Sequence, residues 1–286
     1  MTLQETFQKV RGNGKRTVAR LARRVLPPTM LTLVHVEPGL NLTVNLRRHV
    51  MFWTGGLARF EPCAVRALRA AVEPGDTVFD VGANIGFFST LFSRWVGAGG
   101  RVIALEPEPE NLGLLRRNLD RNRCANVTVH AAAAGALPGT AHFSIDRATG
   151  ATGHLGQEPT TGELSLGSGR VRLIETKVET IDALVERLDA PPRVIKLDIE
   201  GGEIHALEGA ARTLADHRPI VVSELNGATG PDAVELLVRA GYRLWDLESG
   251  QTIDQGGHPF MVLAIPAESV DDARGLRIQK ALPRPR

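Results

Sequence analysis

The stretch FDVGANIGFFST, residues 79–90, combines the end of a strand, a turn with two glycines and the start of a helix. Gly82 and Gly86 allow the backbone to turn sharply, and they also allow a ligand to approach it closely. The N-terminal N–H groups of a helix that begins directly after such a turn point toward that ligand. The stretch therefore predicts a ligand site at the carboxyl end of the strand that holds Asp80.

Strand-like and helix-like segments alternate from residue 77 to residue 265. Apolar runs predict strands at 77–81, 101–105, 127–131, 194–199, 219–225, 242–247 and 260–265. Helical patterns cover 87–96, 108–121, 203–214 and 231–240. This alternation predicts an α/β fold with a mostly parallel sheet. Only a Gly-rich turn region separates the last two strands, so we expect them to pair antiparallel.

The chain divides into four parts by composition. Residues 1–30 form a basic leader, helical or disordered, and residues 31–75 form a hairpin and a helix that lead into the core. The main domain covers 76–265, and a peripheral tail covers 266–286. A segment rich in Gly, Thr and Ser interrupts the alternation at 147–169. Such a long loop in a compact domain is usually a lid, a binding loop or a disordered segment.

The charge of the first residues contrasts with that of the remainder. Residues 1–60 contain ten Lys and Arg and two acidic residues, although the whole chain has a net charge of only +2. A basic leader can make weak contact with an anionic membrane surface, but a solvated or frayed terminus is the simpler explanation of this charge. No apolar segment follows it as in a signal peptide, and no apolar run of about 18 residues predicts a membrane span.

Cysteine usage and surface composition limit location and partners. Cys63 and Cys124 are the only cysteines, and two in a chain of 286 residues fit a reducing compartment. We therefore predict a cytoplasmic protein. The chain lacks a broad basic surface rich in aromatic residues, so we expect no nucleic-acid partner. The oligomeric state stays open.

An acidic residue follows the second predicted strand at the distance expected for a nucleotide site. Glu106 lies twenty residues beyond Gly86, where a carboxylate can bind both hydroxyls of a ribose. NAD and S-adenosylmethionine (SAM) both carry a ribose. A dinucleotide site needs glycine where this turn has Asn84, and Asp80 suits the cationic end of SAM better than a pyrophosphate. These residues favour SAM over NAD.

The stretch VIKLDIEGGE, residues 194–203, carries ionisable residues on a strand that should be buried. Alternate residues of a strand share a face, so Lys196, Asp198 and Glu200 lie together, opposite apolar neighbours. Burying three such groups without partners is costly, which predicts a reaction site lined by the carboxylates and positioned by the lysine. The alternative is an internal ion pair that orders the turn. Glu224 and Asn226 could converge on the same place. Oxygen ligands of this kind can hold a divalent cation, but no spacing demands one, so we predict no metal.

Several segments resemble the FkbM family of SAM-dependent methyltransferases. They cover most of residues 50–265 and comprise FDVGANIG (79–86), ALEPEPENLGLLRRNL (104–119), the alanine-rich stretch at 132–139, ETIDAL (179–184), VIKLDIEGGEIHALEGA (194–210) and IVVSEL (220–225). Members of this family look like class I methyltransferases, and several O-methylate sugars or secondary metabolites. The resemblance therefore implies a Rossmann-like, seven-stranded, mostly parallel sheet with an antiparallel last strand and helices on both faces.

The resemblance also implies roles for individual residues. The methionyl end of the cofactor would be held by Asp80, Gly82, Asn84 and Gly86. Glu106 would hold the ribose, and Ala133 would lie near the adenine. The KxDxEG motif of the family matches Lys196, Asp198 and Glu200. The long segment at 147–169 and the basic leader depart from the family pattern, which leaves the acceptor unidentified.

The carboxylate cluster and the family resemblance together imply a SAM-dependent O-methyltransferase that acts on a hydroxyl of a small molecule, sugar or secondary metabolite. Asp198 or Glu200 would accept the proton of that hydroxyl. An NAD-dependent oxidoreductase is the enzymatic alternative, which Asn84 and Asp80 disfavour. The alternative outside catalysis is a binding module that kept the fold and lost the chemistry.

Overall fold

The computed structural model describes residues 25–27, 29–50, 52, 61–146, 153–155, 171–199, 201–225, 229–253 and 259–283. The strands are β1 (Leu31–Glu37), β2 (Leu40–Asn45), β3 (Thr77–Val81), β4 (Arg101–Leu105), β5 (Val127–His130), β6 (Ala133–Ala134), β7 (Gly139–Asp146), β8 (Gly153–Leu155), β9 (Val171–Glu179), β10 (Val194–Leu197), β11 (Ile220–Glu224), β12 (Tyr242–Asp246), β13 (Thr252–Ile253) and β14 (Met261–Pro266). The helices are α1 (Pro62–Ala71), α2 (Phe87–Val96), α3 (Pro109–Arg121), α4 (Ile181–Leu188), α5 (Glu203–Glu208), α6 (Ala211–Asp216), α7 (Gly230–Arg239) and α8 (Ala273–Ala281).

The central sheet has the strand order β13–β12–β14–β11–β10–β3–β4–β5. The pairs from β11 to β5 are parallel, whereas β14 pairs antiparallel with both β11 and β12. All seven strands expected from the sequence are present, and the antiparallel last strand is confirmed. The predicted count of seven is corrected to eight, because the two residues of β13 pair with β12 at the edge. A mostly parallel sheet with the antiparallel strand β14 near its edge is the arrangement that the family resemblance implied.

Helices cover both faces of this sheet, because alternate strand residues lie in two separate apolar clusters, one on each face. One cluster joins Val78, Val102 and Val194 to residues of α1, α2 and α8. The other joins Phe79, Ile195 and the remaining odd-numbered core positions of β3, β4 and β10 to residues of α4, α5, α6 and α7. The predicted helix at 203–214 is two helices, α5 and α6, separated at Gly209 and Ala210. A Cβ on Gly209 would lie 2.1 Å from the Gly135 carbonyl oxygen, so the close approach of two segments requires glycine there.

A second sheet of four strands, in the order β6–β9–β7–β8, was not expected from the sequence. Its long pair, β7 with β9, is antiparallel and joins segments on either side of the Gly/Thr-rich stretch. The prediction of a continuous loop over 147–169 is wrong at β8, which pairs antiparallel with β7. Strand formation there depends on a partner rather than on local composition, which is why composition did not reveal it. The other residues of that segment lie outside the described ranges.

The tail expected to be peripheral is partly built into the core. Val270 and Ile278 are buried in the cluster that covers the α1 face of the sheet. The guanidinium of Arg274 contacts Asp76 at 3.2 Å and also pairs with Glu73, just before β3. The sequence of the tail alone is polar and weakly amphipathic. Its burial therefore becomes evident only from the residues that pack against it.

Location remains a prediction. Among the residues described, no helix is long and apolar enough to cross a membrane. Cys63 and Cys124 are both free thiols. Residues 1–24, which carry most of the basic leader, lie outside the described ranges, so their proposed membrane contact also stays a prediction.

The glycines of the turn after β3 are required by contacts within the protein. Gly82 has a φ of +81°, and a Cβ there would lie 1.8 Å from the backbone oxygen of Asp198. Gly86 has a φ of +89°, and a Cβ there would lie 2.7 Å from Cδ1 of Leu115 on α3. The amide of Asp198 donates to the Val81 carbonyl at 3.0 Å. The end of β10 is therefore packed directly against the turn, which explains the glycines without a ligand.

We predict that Ile278→Ala lowers the free energy of unfolding by about 2–4 kcal/mol, because it leaves a cavity in the core beneath α8. Urea unfolding monitored by circular dichroism measures this loss. Leu276→Ala on the same helix is the control, because its side chain is 44% exposed; it should change stability by less than about 0.5 kcal/mol. Equal effects of the two substitutions would contradict the docking of α8.

We predict that Gly82→Ala lowers the free energy of unfolding by roughly 2–5 kcal/mol. A left-handed alanine is strained, and its Cβ must displace the end of β10. Gly113→Ala is the matched control, since a Cβ at this exposed position of α3 meets nothing within 4 Å. It should stabilise the helix by about 0.5–1 kcal/mol. A neutral Gly82→Ala would show that the turn is not packed in this way.

Candidate active site

Two charged residues lie side by side on the neighbouring strands β3 and β10. Lys196 pairs in register with Asp80, so both side chains lie on the same face of the sheet. Ile195 and Leu197 lie in the apolar cluster of the opposite face, as the alternation predicted. These strands end at the edge of the sheet where open α/β folds bind their ligands. The carboxyl ends of β3 and β10 therefore define the candidate site.

Lys196 is the centre of this site. Its Nζ donates to Oδ2 of Asp198 at 3.0 Å and lies 3.9 Å from Oδ1 of Asp80. The ammonium also lies 4.7 Å from the ring centroid of Phe88, which α2 places beneath it. Burial alone would lower the pKa of Lys196, but the charges of Asp198, Asp80 and Glu61 outweigh burial and raise it. The lysine is therefore a permanent cation under the end of the sheet.

Asp80 is completely buried and only partly satisfied. Its Oδ2 accepts a hydrogen bond from the hydroxyl of Ser89 at 2.5 Å, whereas Oδ1 has no hydrogen-bond partner among the described residues. Burial raises the pKa of Asp80, and the ammonium of Lys196 and the hydroxyl of Ser89 oppose that rise. The free acceptor beside the glycine turn is chemically suited to a donor on a cationic ligand.

Three carboxylates converge where β10 and β11 end. Oxygens of Glu61, Asp198 and Glu224 lie within 4.8 Å of one another, so the expected approach of Glu224 to this place is confirmed. Such a group has the ligand chemistry for a divalent cation, although Lys196 already supplies a positive charge beside Asp198. The absence of a metal stays a prediction. Glu200 and Asn226, also expected here, lie outside the described residues.

Glu61 is the member of this group that the sequence did not reveal. It precedes α1 in a left-handed conformation with a φ of 41°, which is uncommon for a residue with a side chain. The carboxylate of Glu61 does not cap α1 and lies instead beside those of Asp198 and Glu224. No local pattern could have found it, because its neighbours in space lie far along the chain.

Glu106 follows β4, as expected, and its carboxylate is held by the backbone. Oε2 accepts from the Asn84 amide at 2.8 Å, and Oε1 accepts from the Glu108 amide at 2.9 Å. Burial raises the pKa of Glu106 to about 7, although both amides and the side chain of Asn111 favour the ionised form. A carboxylate has about four acceptor positions, so capacity remains for a ribose hydroxyl. This residue therefore fits the ribose of SAM.

Asn84 has a structural reason to replace glycine. Its φ is 50°, a left-handed conformation that asparagine tolerates better than most residues. Its Oδ1 accepts from the next amide, that of Ile85, at 2.8 Å, which closes the turn locally. Ala133 is buried in β6, where its backbone pairs with Val178 of the second sheet. The adenine contact assigned to Ala133 stays a prediction.

The turn after β10 is held by Glu203, a carboxylate whose role was not predicted from the sequence. Glu203 is buried and accepts hydrogen bonds from the amides of Ile199 and Gly201. Burial raises the pKa of Glu203, and these amide donors oppose the rise. The pattern of a carboxylate directly after two glycines could have indicated this role, because short turns leave amides that need acceptors.

The family model of the methyltransferase FkbM domain matches residues 80–244. A hexuronic acid methyltransferase, AglP, from Haloferax volcanii is 28% identical over 64% of this chain and 70% of its own length. The 31-O-demethyl-FK506 methyltransferase FkbM from Streptomyces tacrolimicus is 32% identical over 61% of this chain and 76% of its own length. A solved methyltransferase FkbM from Methylobacillus flagellatus is 20% identical, covers 74% of this chain and 60% of its own, and has a TM-score of 0.43.

The matched segment runs from Asp80 through Glu106 and the Lys196–Asp198 pair to β12. It therefore contains the glycine turn, the carboxylate that fits a ribose and the buried lysine. The prediction of SAM rather than NAD as the cofactor is confirmed. The chain belongs to the FkbM family of SAM-dependent methyltransferases.

Proposed function

We propose that this protein transfers a methyl group from SAM to a hydroxyl group of a small molecule, sugar or secondary metabolite. The observation that carries the proposal is the position of Asp198, which is hydrogen-bonded to the buried Lys196 and still reaches the surface at the end of the sheet. The name of one relative, a 31-O-demethyl-FK506 methyltransferase, supports transfer to a hydroxyl oxygen, whereas the other relative is named for a hexuronic acid, an acceptor that carries a carboxylate.

In this proposal the residues around the glycine turn hold the cofactor. SAM, when bound, supplies an electrophilic methyl group on a positively charged sulfur. Asp80 and the turn formed by Gly82, Asn84 and Gly86 would hold the methionyl end, which carries an amine. Glu106 would accept hydrogen bonds from the ribose, and Ala133 would border the adenine. The free Oδ1 of Asp80 and the remaining acceptor capacity of Glu106 support these assignments.

Asp198 is the group that we assign to the acceptor. Its side chain is 23% exposed, whereas those of Lys196 and Asp80 are 5% and 0% exposed. Asp198 would align the hydroxyl and accept its proton as the new C–O bond forms, while Lys196 stays charged and fixes the carboxylate. Glu200 matches the same motif and remains a second candidate for the base.

The charges around Asp198 favour acceptors without negative charge. Glu61 and Glu224 place two further carboxylates beside Asp198, and the ammonium of Lys196 donates to Asp198 itself. An anionic acceptor would face like charges at close range, which costs several kcal/mol by the usual order of such effects. Neutral polyols can instead donate hydroxyl hydrogens to the carboxylates. We therefore expect a neutral hydroxylated acceptor, in contrast to the acid for which the hexuronic acid methyltransferase is named.

Methyl transfer from SAM to paired acceptors tests this proposal. Each pair consists of a neutral hexoside and the matching hexuronide, with products identified by mass spectrometry. We expect methyl ethers of the neutral member and little product from the charged one. Binding of SAM without transfer to any hydroxylated acceptor would favour the binding module over the enzyme.

We predict that Asp198→Asn lowers kcat by about 10²–10⁴, the usual contribution of a positioned base. The change keeps the shape of the side chain, so the Kd of SAM should change far less than kcat. Isothermal titration calorimetry and steady-state kinetics measure the two quantities. Asp216→Asn is the control because Asp216 is exposed at the end of α6. Unchanged turnover in Asp198→Asn would remove Asp198 from the mechanism.

We also predict that the affinity for S-adenosylhomocysteine (SAH), the demethylated product, rises as the pH rises through about 7. Ribose hydroxyls donate to the ionised carboxylate of Glu106, and protonation below its pKa of about 7 removes that acceptor. Calorimetric titrations between pH 5.5 and 8.5 measure the midpoint. Glu106→Gln should bind SAH more weakly and without this pH dependence.

The ligand-free protein provides an independent control with the opposite sign. Because the folded state raises the pKa of Glu106 from 4.5 to about 7, folded protein holds this proton more tightly than the unfolded chain. The stability difference between wild type and Glu106→Gln should therefore move against wild type as the pH rises from 4.5 to 7. A difference that does not change over this range would contradict the assigned pKa.

A further inference from the structure

The N-terminal hairpin is fixed against the cofactor half of the site by a buried asparagine. Asn118 of α3 accepts from the Thr43 amide at 2.7 Å and donates to the Thr43 carbonyl at 3.1 Å. The same side-chain amide donates to the carbonyl of Ile85, in the glycine turn, at 2.8 Å. The position of β2 is therefore set relative to the turn, and residues that follow β2 have a defined place above the start of α3.

Arg48 occupies that place and forms an ion pair with Glu108. Its Nη2 lies 2.6 Å from Oε2 of Glu108, and its Nη1 contacts Glu110. The side chains of Arg48 and Glu108 are 11% and 5% exposed, so this pair is screened from solvent far more than a surface pair. Glu108 is also the residue whose amide donates to Oε1 of Glu106. Arg48 is thus one residue removed from the carboxylate that fits the ribose.

A second contact from the hairpin acts on Glu106 through the side-chain amide of Asn111. The Asn45 amide donates to Nδ1 of His49, so the proton of the neutral imidazole lies on Nε2, which faces Oδ1 of Asn111 at 3.4 Å. This orientation directs the amide nitrogen of Asn111 toward Glu106, with which Asn111 is hydrogen-bonded. Burial lowers the pKa of His49 to about 4, so the histidine stays neutral at physiological pH. The end of the hairpin therefore orders both partners of Glu106 on α3.

Resting on the proposed role of Glu106, we propose that Arg48 is a positioning residue of the cofactor site that acts on Glu106 through Glu108. Arg48 lies outside the segment matched by the family model, residues 80–244. It neutralises Glu108, whose negative charge would otherwise act on the Glu106 carboxylate at close range. The hairpin thereby favours the ionised form of Glu106, which accepts hydrogen bonds, over the protonated form.

The other titratable groups near Glu106 are paired with Arg48, neutral or directed toward other residues, so Arg48 is the group that offsets the charge of Glu108. Glu108 and Glu110 come from the start of α3, and both pair with Arg48. On the hairpin side, His49 is neutral. From β5, His130 contributes its backbone carbonyl to the Glu106 amide, and its imidazole faces Glu179 at 3.3 Å. Among the described residues, Glu108 is thus the ionised group with a direct electrostatic effect on Glu106.

The test measures SAH affinity against pH in wild type, Arg48→Gln, Glu108→Gln and the double variant. Arg48→Gln should move the midpoint of SAH binding up by about 0.5–1 pH unit, which weakens binding at pH 7 by about 2–5-fold and leaves it nearly unchanged at pH 9. Glu108→Gln removes the charge, so adding Arg48→Gln to it should produce no further shift. Arg94→Gln is the matched control, because it removes an ion pair that the hairpin makes elsewhere, with Glu37.

A second readout does not depend on the ligand. The carboxyl ¹³C resonance of Glu106, assigned by its absence from Glu106→Gln, should titrate at a higher pH in ligand-free Arg48→Gln than in wild type. The proposal is overturned if this resonance does not move, if the shift persists in the Glu108→Gln background, or if Arg48→Gln weakens SAH binding equally at every pH. A resonance that moves while SAH affinity does not would refute the ribose role of Glu106, and the proposal with it. A shift in both quantities supports it.

Discussion

The buried ammonium of Lys196 is the interaction on which the site depends. An unpaired charge beneath a sheet would be too costly to keep, so the carboxylates of Asp80 and Asp198 must approach it, and they do so from different strands. Asp198 uses its side chain for this pair and its backbone oxygen to cover Gly82. One residue thereby joins the charge at the end of β10 to the shape of the turn after β3. Replacing the charged end of β10 alone, or the glycine turn after β3 alone, would leave the other without its partner.

Local periodicity was sufficient to predict the sheet and the inner half of the site. The bounds of α2 and β4 agree with the predicted 87–96 and 101–105, because both elements have strong local patterns. The alternation in VIKLDI placed Lys196 on the face opposite Ile195, as observed. The glycines were correctly read as a turn, but the predicted close approach of a ligand is not needed to explain them. Their missing side chains make room for Asp198 and Leu115.

The parts that the sequence did not predict all depend on partners far along the chain. β7 and β9 are strands because each pairs with the other, and α8 is buried because it packs against α1. Glu61 joins Asp198 and Glu224, and Arg48 joins Glu108, from segments that precede the family motifs. Such contacts leave no periodic signal. The family motifs therefore identify the cofactor and the fold, while residues outside them complete the surroundings of Asp198 and Glu106.

The distribution of charge suits a reaction in which a cation becomes neutral. In the proposed reaction, transfer of a methyl group converts a sulfonium into a thioether and releases one proton from the hydroxyl. Before transfer, the buried carboxylate of Asp80 and the group around Asp198 would attract the positive cofactor. Afterwards that attraction would be lost, and the released proton could remain on a carboxylate. The carboxylates of the described site would therefore favour the reactant form of the cofactor over the product form. The ammonium of Lys196 offsets part of this negative charge, so that the strands carrying the carboxylates can still pack.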